Sequence, residues 1–438
     1  MKQLIFTLIA MTTLLTGCCN QSPKAASTSG DFKSYTQAEI AQIHKDLGAA
    51  YEVLRPKVIM PAEGYFKYPY LIPAGFYKQM WDWDAFFMGS HFLSIGEPQY
   101  LKYWALNLMA GVDDKGYVSG CATTQGPRPI FGDFSMKPFL SQGVYMSAQA
   151  MDDFTWVAEK YDLLKRVIDY RETTQQDKAS GLFFWQNAMQ SGADNNVAMN
   201  YFPTEDTRMF LSCDASGLQY KEYLAQAAIA KRLGYSEDAE AYAAKAEALK
   251  EAMNKYLWCD EDKIYYNVDM ETREHYKRVS YSSFVPLMAQ TLSQENGKAM
   301  IERYLLSPDH MKAQYGYRTL SKQDPDYNNK NIIIPFSNWQ GPVWPIANYI
   351  YSIGLHKYGF DEEIVWQAGT LGELLVDDFE KYGTMHENYH ADTGAPLAPD
   401  HSHVDADGKF VGFISWNLCV WNILEGIVND NWLLLDVQ

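Results

Sequence analysis

The side chains best suited to chemistry in this chain are carboxylates set among indoles and amides. Asp194 is the one carboxylate of NAMQSGADNNVAMN (187–200). Gly192, Asn195 and Asn196 suit a turn, so a turn that happens to carry an acid would account for the composition. QMWDWDAFFMGSHFLSIG (79–96) puts Trp81, Asp82, Trp83 and Asp84 just before a helix that ends near Gly96. The carboxylates would there meet the positive end of the helix dipole. Capping beside core aromatics explains this pattern, and so does a sugar site, where an indole stacks on the apolar face of a ring while a carboxylate takes its hydroxyls. FSNWQGPVWPIANYIYSIGLHKYG (336–359) leaves Trp339, Gln340 and Trp344 on a loop before a helix whose first turn holds Pro345. A turn with buried indoles is the structural account of that stretch.

Glu387 lies in a loop with Asn388, Tyr389 and His390, followed by DTGAP. A loop carboxylate among aromatics is more informative than one on a helix face, where solvated charges are routine. The same loop carries His401, His403, Asp405 and Asp407, which look like a metal set. A calcium loop of the EF-hand kind counted from His403 would need a carboxylate where Ile414 stands, so no metal is expected. There is no phosphate-cradling glycine loop and no G-x-S-x-G elbow, and no cofactor is called for. With 31 Tyr and 12 Trp concentrated in loops, carbohydrate is the simplest ligand. Glycoside hydrolysis is the simplest chemistry for two carboxylates in that setting.

The elements that must hold these groups read as helices, because the apolar spacing is mostly three and four. Thr36 with Glu39 makes a capping box ahead of QAEIAQIHKDLGAAYEVLR. EPQYLKYWALNLMAG runs to Gly111, SGLQYKEYLAQAAIAKRLG to Gly234, and SEDAEAYAAKAEALKEAMNKYLW follows with Ser236 as its cap. DEEIVWQAGTLGELLVDDFEKYG is a further long helix. The helices come in pairs, separated by long aromatic segments at 60–84, 111–142, 181–212, 313–345 and 383–415. Loops of that length in a compact domain are functional or disordered, and loops this aromatic are not the disordered kind. One all-α domain of helical hairpins over 35–438 is expected, and a toroid of inner and outer helices would gather the loops at one mouth.

A formal net charge of −17 over 438 residues argues against nucleic acid or an anionic membrane surface as partner. The start, MKQLIFTLIAMTTLLTGCCNQS, has a lysine before an apolar run too short to span a bilayer, which reads as an export signal. Its LTGC ending resembles a bacterial lipoprotein box, which implies removal of residues 1–17 and lipidation of Cys18. Residues 18–34 then read as a polar tether. The expected location is the cell envelope, most simply a Gram-negative outer membrane, with membrane contact only through the lipid. Five further cysteines show no C-x-x-C spacing, and the exported setting permits disulfides without saying which. A monomer is expected.

WDWDAF, SQG (141–143), QSGADNN, WQGPVWPIANY and HENYHADTG occur in an order that resembles family 63 glycoside hydrolases, over roughly residues 75–425. The likeness is to the short mannosylglycerate and glucosylglycerate hydrolases, with trehalases as distant relatives. It implies an (α/α)6 barrel and an inverting mechanism on an α-glucoside or α-mannoside. By resemblance, Asp194 is the general acid and Glu387 the general base. Trp83 and Asp84 bind the sugar at the point of cleavage, and Gln142, Trp339, Gln340, Gly341 and Trp344 line the pocket. Asp194 must then stay protonated near neutral pH, and Glu387 must stay ionised. Asp84 and Asp214 are the alternative acids. Three departures stand out: Gln340 replaces the usual Arg, Gln190 replaces a Glu, and the Pro-Arg that normally follows D-N-S is missing. The altered stretch after Asp194 leaves a second reading, a lipid-anchored carbohydrate-binding protein on the same barrel without hydrolysis; a trehalase-type activity and a sugar epimerase on a related toroid are further alternatives.

Overall fold

Twelve helices of a computed structural model alternate between two layers; the structure describes residues 32–75, 77–332, 337–398 and 407–432. The expected export signal, Cys18, and His401, His403 and Asp405 lie outside the described residues. In chain order the helices are α1 (Gln37–Leu54), α2 (Asp82–Ser94), α3 (Gln99–Met109), α4 (Leu140–Met151), α5 (Tyr161–Gln175), α6 (Cys213–Leu233), α7 (Ser236–Tyr256), α8 (Tyr281–Met288), α9 (Gln294–Met300), α10 (Pro345–Lys357), α11 (Asp361–Tyr382) and α12 (Leu418–Asn429).

The even-numbered helices form the inner ring and the odd-numbered ones the outer layer. Their burial separates the two layers. All eight residues of α8 are buried, as are Pro345–Leu355 of α10 and Asp82–Phe92 of α2. A helix apolar on every face must be enclosed on every face. In α7, by contrast, only Tyr242, Ala246, Leu249, Ala252 and Met253 are buried, the single stripe of an outer helix. Each inner helix packs on the next, and α12 returns to pack on α2, so the ring closes as an (α/α)6 barrel. The outer helix α1 packs against both α11 and α12 and covers the seam.

The local signals behave as the sequence predicts at most ends. Thr36 and Glu39 form the reciprocal capping box of α1, and Gly234 and Gly383 end α6 and α11 in the left-handed region. Two ends differ. Ser236 is already the first residue of α7, with Tyr235 in the cap position and no side-chain cap bond. Asp82 and Asp84 lie inside the first turn of α2 rather than ahead of it. The long loops carry ladders of only two or three residues, such as Asn388–Tyr389 against Pro396–Leu397. Cys121, Cys213, Cys259 and Cys419 are buried and unpaired.

Candidate active site

The inner helices share one orientation, and their N-terminal ends gather the chemistry. Asp82, Trp83 and Asp84 open α2; Lys137 lies three residues ahead of α4; Trp344 caps α10; Trp416 belongs to the single turn Ser415–Asn417 that leads into α12. Together with Asp194, Ser337, Trp339 and Glu387 they line a cleft of about 250 Å3.

Asp194 is positioned by the stretch around it. Asn187 caps the single-turn helix Ala188–Ser191, and Gly192 then takes φ +92°. A side chain at Gly192 would also meet the Lys137 Cε at 3.3 Å. The following amides fasten the loop to two neighbours. Asn195 Oδ1 accepts from the Trp339 N–H at 2.6 Å, and the Gln340 amide donates to the Asn195 carbonyl at 3.1 Å. Asn196 donates to the Ser282 hydroxyl on α8 at 3.2 Å. Glu387 is tied to the same wall, since Val343 and Tyr389 exchange backbone hydrogen bonds of 2.8 and 2.9 Å. Beneath it, buried Asp378 of α11 accepts from the Tyr389 hydroxyl at 2.7 Å and contacts His386 Nδ1 at 2.9 Å.

Three carboxyls in the cleft hold protons more tightly than free carboxylic acids do. Burial raises Asp84 to about 7, opposed by a hydrogen bond from Ser415 and by the charge of Lys137. It raises Asp194 to about 7, opposed by Lys137 and reinforced by Asp84, with no hydrogen bond to its carboxylate among the described residues. It raises Glu387 to about 8, opposed by the Ser337 hydroxyl and reinforced by Asp194 and Asp84. Glu387 is expected from sequence to stay ionised, yet burial raises it furthest; it is only 4% exposed and faces two other carboxyls. Among such neighbours protons come off as a property of the cluster rather than of one residue.

Aromatic rings build the walls. Trp339 and Trp344 stack at 4.2 Å, Trp416 lies 5.8 Å from Trp344, and the Trp344 indole N–H donates to the Asn338 carbonyl at 2.7 Å. The indole N–H groups of Trp81, Trp83, Trp339 and Trp416 are buried without a hydrogen-bond partner among the described residues. Buried donors of this kind are met by a polar ligand or by water.

Of the residues expected in the site, Trp83, Asp84, Asp194, Trp339, Trp344 and Glu387 come together in the lining. Gln142, Gln340 and Gly341 stand outside it. Gln142 is fully buried and donates to the carbonyls of Pro138 and Leu218. Gln340 braces the Asn195 and Asn328 loops. Gly341, at φ +151°, leaves no room for a side chain, whose Cβ would lie 2.2 Å from the Asn328 carbonyl oxygen. These three support the wall from behind. Asp214 is also outside the cleft, accepting from the Trp185 indole at 3.0 Å, which leaves Asp84 as the alternative acid within reach. Sequence reasoning missed Tyr77, Lys137, Ser337 and Trp416 as lining residues. For Lys137 and Trp416 a signal was present, because each sits just ahead of an inner helix, the place already noticed at Trp83 and Trp344.

A closed (α/α)6 barrel with carboxyls and indoles at the helix starts defines a class of carbohydrate-cleaving enzymes, the glycoside hydrolases. Residues 77–404 match the mannosylglycerate hydrolase MGH1-like glycoside hydrolase domain, and the chain belongs to that family. A mannosylglycerate hydrolase of Rubrobacter radiotolerans is 29% identical over 153 residues, 34% of this chain and 32% of that protein. A probable trehalase of Saccharomyces cerevisiae is 20% identical over 409 residues, 78% of this chain and 51% of that protein. The matched parts thus span about a third and about half of these two relatives. Among solved structures, the family 63 mannosylglycerate hydrolase of Thermus thermophilus in complex with glucose superposes with TM-score 0.66 at 17% identity, covering 86% of this chain and 98% of that one. Neutral trehalase from Saccharomyces cerevisiae gives TM-score 0.62 at 15% identity, with 86% and 79% covered.

Proposed function

We propose that this glycoside hydrolase is an exported, lipid-anchored enzyme that cleaves an α-glucosidic or α-mannosidic bond with inversion, using Asp194 as general acid and Glu387 as general base. The observation that carries the assignment is the asymmetry of hydrogen bonding among the three raised carboxyls. Glu387 and Asp84 accept from the Ser337 and Ser415 hydroxyls, which favours the charged form of each. Among the described residues no hydrogen bond stabilises the charge of Asp194, and Asp84 opposes it. Asp84, Asp194 and Glu387 share protons as a cluster; in the productive form of this reading Asp194 holds one for the leaving oxygen, and Glu387, although burial raises it furthest, is ionised and takes one from the attacking water. Atoms balance: water adds its hydroxyl to the anomeric carbon, the glycosidic C–O bond breaks, and the leaving oxygen takes the Asp194 proton. Trp83 and the Trp339–Trp344 stack offer ring faces for a pyranose, with Asp84 and the unpartnered indole N–H groups for its hydroxyls.

The test is a panel of trehalose, α-glucobioses, α-mannobioses, and glucosyl- and mannosylglycerate, followed by variants on whichever substrate turns over. Asp194→Asn and Glu387→Gln should each lower kcat by about 10²–10⁴. Proton NMR of the first product should show the β-anomer; the α-anomer would refute inversion. Cys18→Ser should move the protein from the membrane pellet to the soluble fraction, and an unchanged distribution would remove the anchor from the proposal.

A further inference from the structure

Resting on that reading of Glu387 as the base, we propose that Asp378, on the outer helix α11, is the positioning residue that fixes the Glu387 carboxyl in the cleft. It works through the two residues that bracket the Glu387-Asn388 pair, His386 and Tyr389. Asp378 is itself outside the cleft lining, as is the rest of α11. Its carboxylate nevertheless receives three donors from the Glu387 segment. Oδ2 accepts from the His386 backbone N–H and from the Tyr389 hydroxyl, each at 2.7 Å, and the His386 ring Nδ1 lies 2.9 Å from Oδ1. A carboxylate only accepts, so one side chain satisfies three converging donors. The side chain of Asn388 adds no hydrogen bond to this hold: it is 1% exposed, and neither polar atom of its amide has a partner among the described residues.

The clamp is braced on its far side as well. The His386 imidazole packs against the rings of Tyr382 at 4.9 Å and Phe410 at 4.5 Å, and the His386 carbonyl accepts from the Asn417 side chain at 2.8 Å. Asn417 ends the turn whose Ser415 hydroxyl donates to Asp84 at 2.7 Å, so the contacts that place Glu387 also set it against Asp84. Asp378, His386 and Tyr389 are all buried. A carboxylate in the last turns of α11 meets the negative end of the helix dipole, and burial adds to the cost. Filling the space alone would be served as well by an apolar side chain. Such a side chain could not hold the segment of the base at two points, and an error of ~1 Å in the placement of a reacting group costs about a hundredfold in rate.

The test removes the clamp in steps. Asp378→Ala takes away all three acceptor contacts, Asp378→Asn keeps one acceptor oxygen, and Tyr389→Phe loses only the hydroxyl. On whichever glycoside of the panel turns over, kcat should fall about a hundredfold in Asp378→Ala and about tenfold in Tyr389→Phe, with KM changed by less than about threefold. Asp378→Asn should recover about tenfold over the alanine variant. On a Glu387→Gln background the same changes should lower the residual kcat by less than about threefold, because a residue acting only through Glu387 has nothing left to act on. Crystal structures of the variants read the position itself, and the Glu387 carboxyl should move from the Ser337 hydroxyl by about 1 Å or more. A change confined to thermal stability, a loss of equal size on the Glu387→Gln background, or a Glu387 carboxyl that stays in place overturns the proposal. Should Asp378→Ala fail to fold, Tyr389→Phe decides it. If Glu387→Gln turns over at the wild-type rate, or no glycoside is cleaved, the reading of Glu387 as base falls, while the displacement still decides whether Asp378 positions it.

Discussion

Replacing Glu387 by glutamine should stabilise the protein while removing its proposed activity, and the stabilisation should depend on pH in a defined direction. Glu387 is 4% exposed, and burial raises it from 4.5 to about 8. The folded state therefore binds this proton more tightly than the unfolded state, and between those two values folding stability falls as pH rises. At ~1.4 kcal/mol for each tenfold in proton affinity, full ionisation opposes folding by at most ~5 kcal/mol. Water entry and relaxation of the cleft reduce this, and about 2 kcal/mol is the expected measurable part. Glutamine copies the protonated shape, keeps an oxygen for the Ser337 hydroxyl and never ionises. For a domain of about 400 residues the unfolding entropy is ~0.8 kcal/mol/K, so Tm should rise by about 2–3 °C at pH 8.5. Well below pH 4.5, where both proteins carry a neutral side chain folded and unfolded, the difference should vanish. Thermal melts of the two proteins across this range decide the matter. A Tm difference that is zero or negative at pH 8.5, or that is constant with pH, would refute the account of a carboxyl held at an energetic disadvantage by its surroundings.

Three further outcomes follow from named contacts. Lys137 lowers both Asp84 and Asp194, so Lys137→Met should raise both and carry the basic limb of the kcat/KM profile to higher pH; an unchanged or lower limb would remove Lys137 from that role. Gly143→Ala would put a Cβ 2.4 Å from Trp104 Cζ3 between α4 and α3, and should cost about 1–3 kcal/mol in denaturant unfolding, where a loss under 0.5 would show that the helices can part. Asn195→Ala removes the acceptor for the Trp339 N–H and should lower kcat at least tenfold with a Tm change of only a few degrees; full activity would show that the Asp194 loop holds its place without that tie.

The hairpin helices were legible because an outer helix shows a one-sided stripe, as Tyr242, Ala246, Leu249 and Met253 do on α7. The inner helices leave a weaker trace. Helices such as α8 are buried on every face, and a segment like YSSFVPLM carries no period to read. Closure of the ring was invisible because it depends on α12 meeting α2, a contact between opposite ends of the sequence. In the site, residues that are chemically conspicuous were found: Asp194, Glu387 and the Trp-Asp and Trp-Gln clusters. Lys137 and Ser337 were missed because each is ordinary in its own stretch and acquires meaning only from the carboxylates the fold brings beside it. Gln142, Gln340 and Gly341 show the opposite failure: a resemblance that carries a motif does not place each of its side chains in the cleft.

The seam between α1 and α12 also constrains how the chain can fold. Tyr51 donates to the Asn417 carbonyl 366 residues further on, and His44 contacts Glu425 across a separation of 381. No shorter stretch of polypeptide can make these contacts, so the barrel has to wait for its last helix. Topologies dominated by such distant pairings fold slowly, because chain closure is paid in entropy before any contact repays it. Were the chain exported as proposed above, that delay would be an advantage: a ring that cannot close until α12 has been made leaves the preceding chain threadable, which is the state a translocation channel accepts.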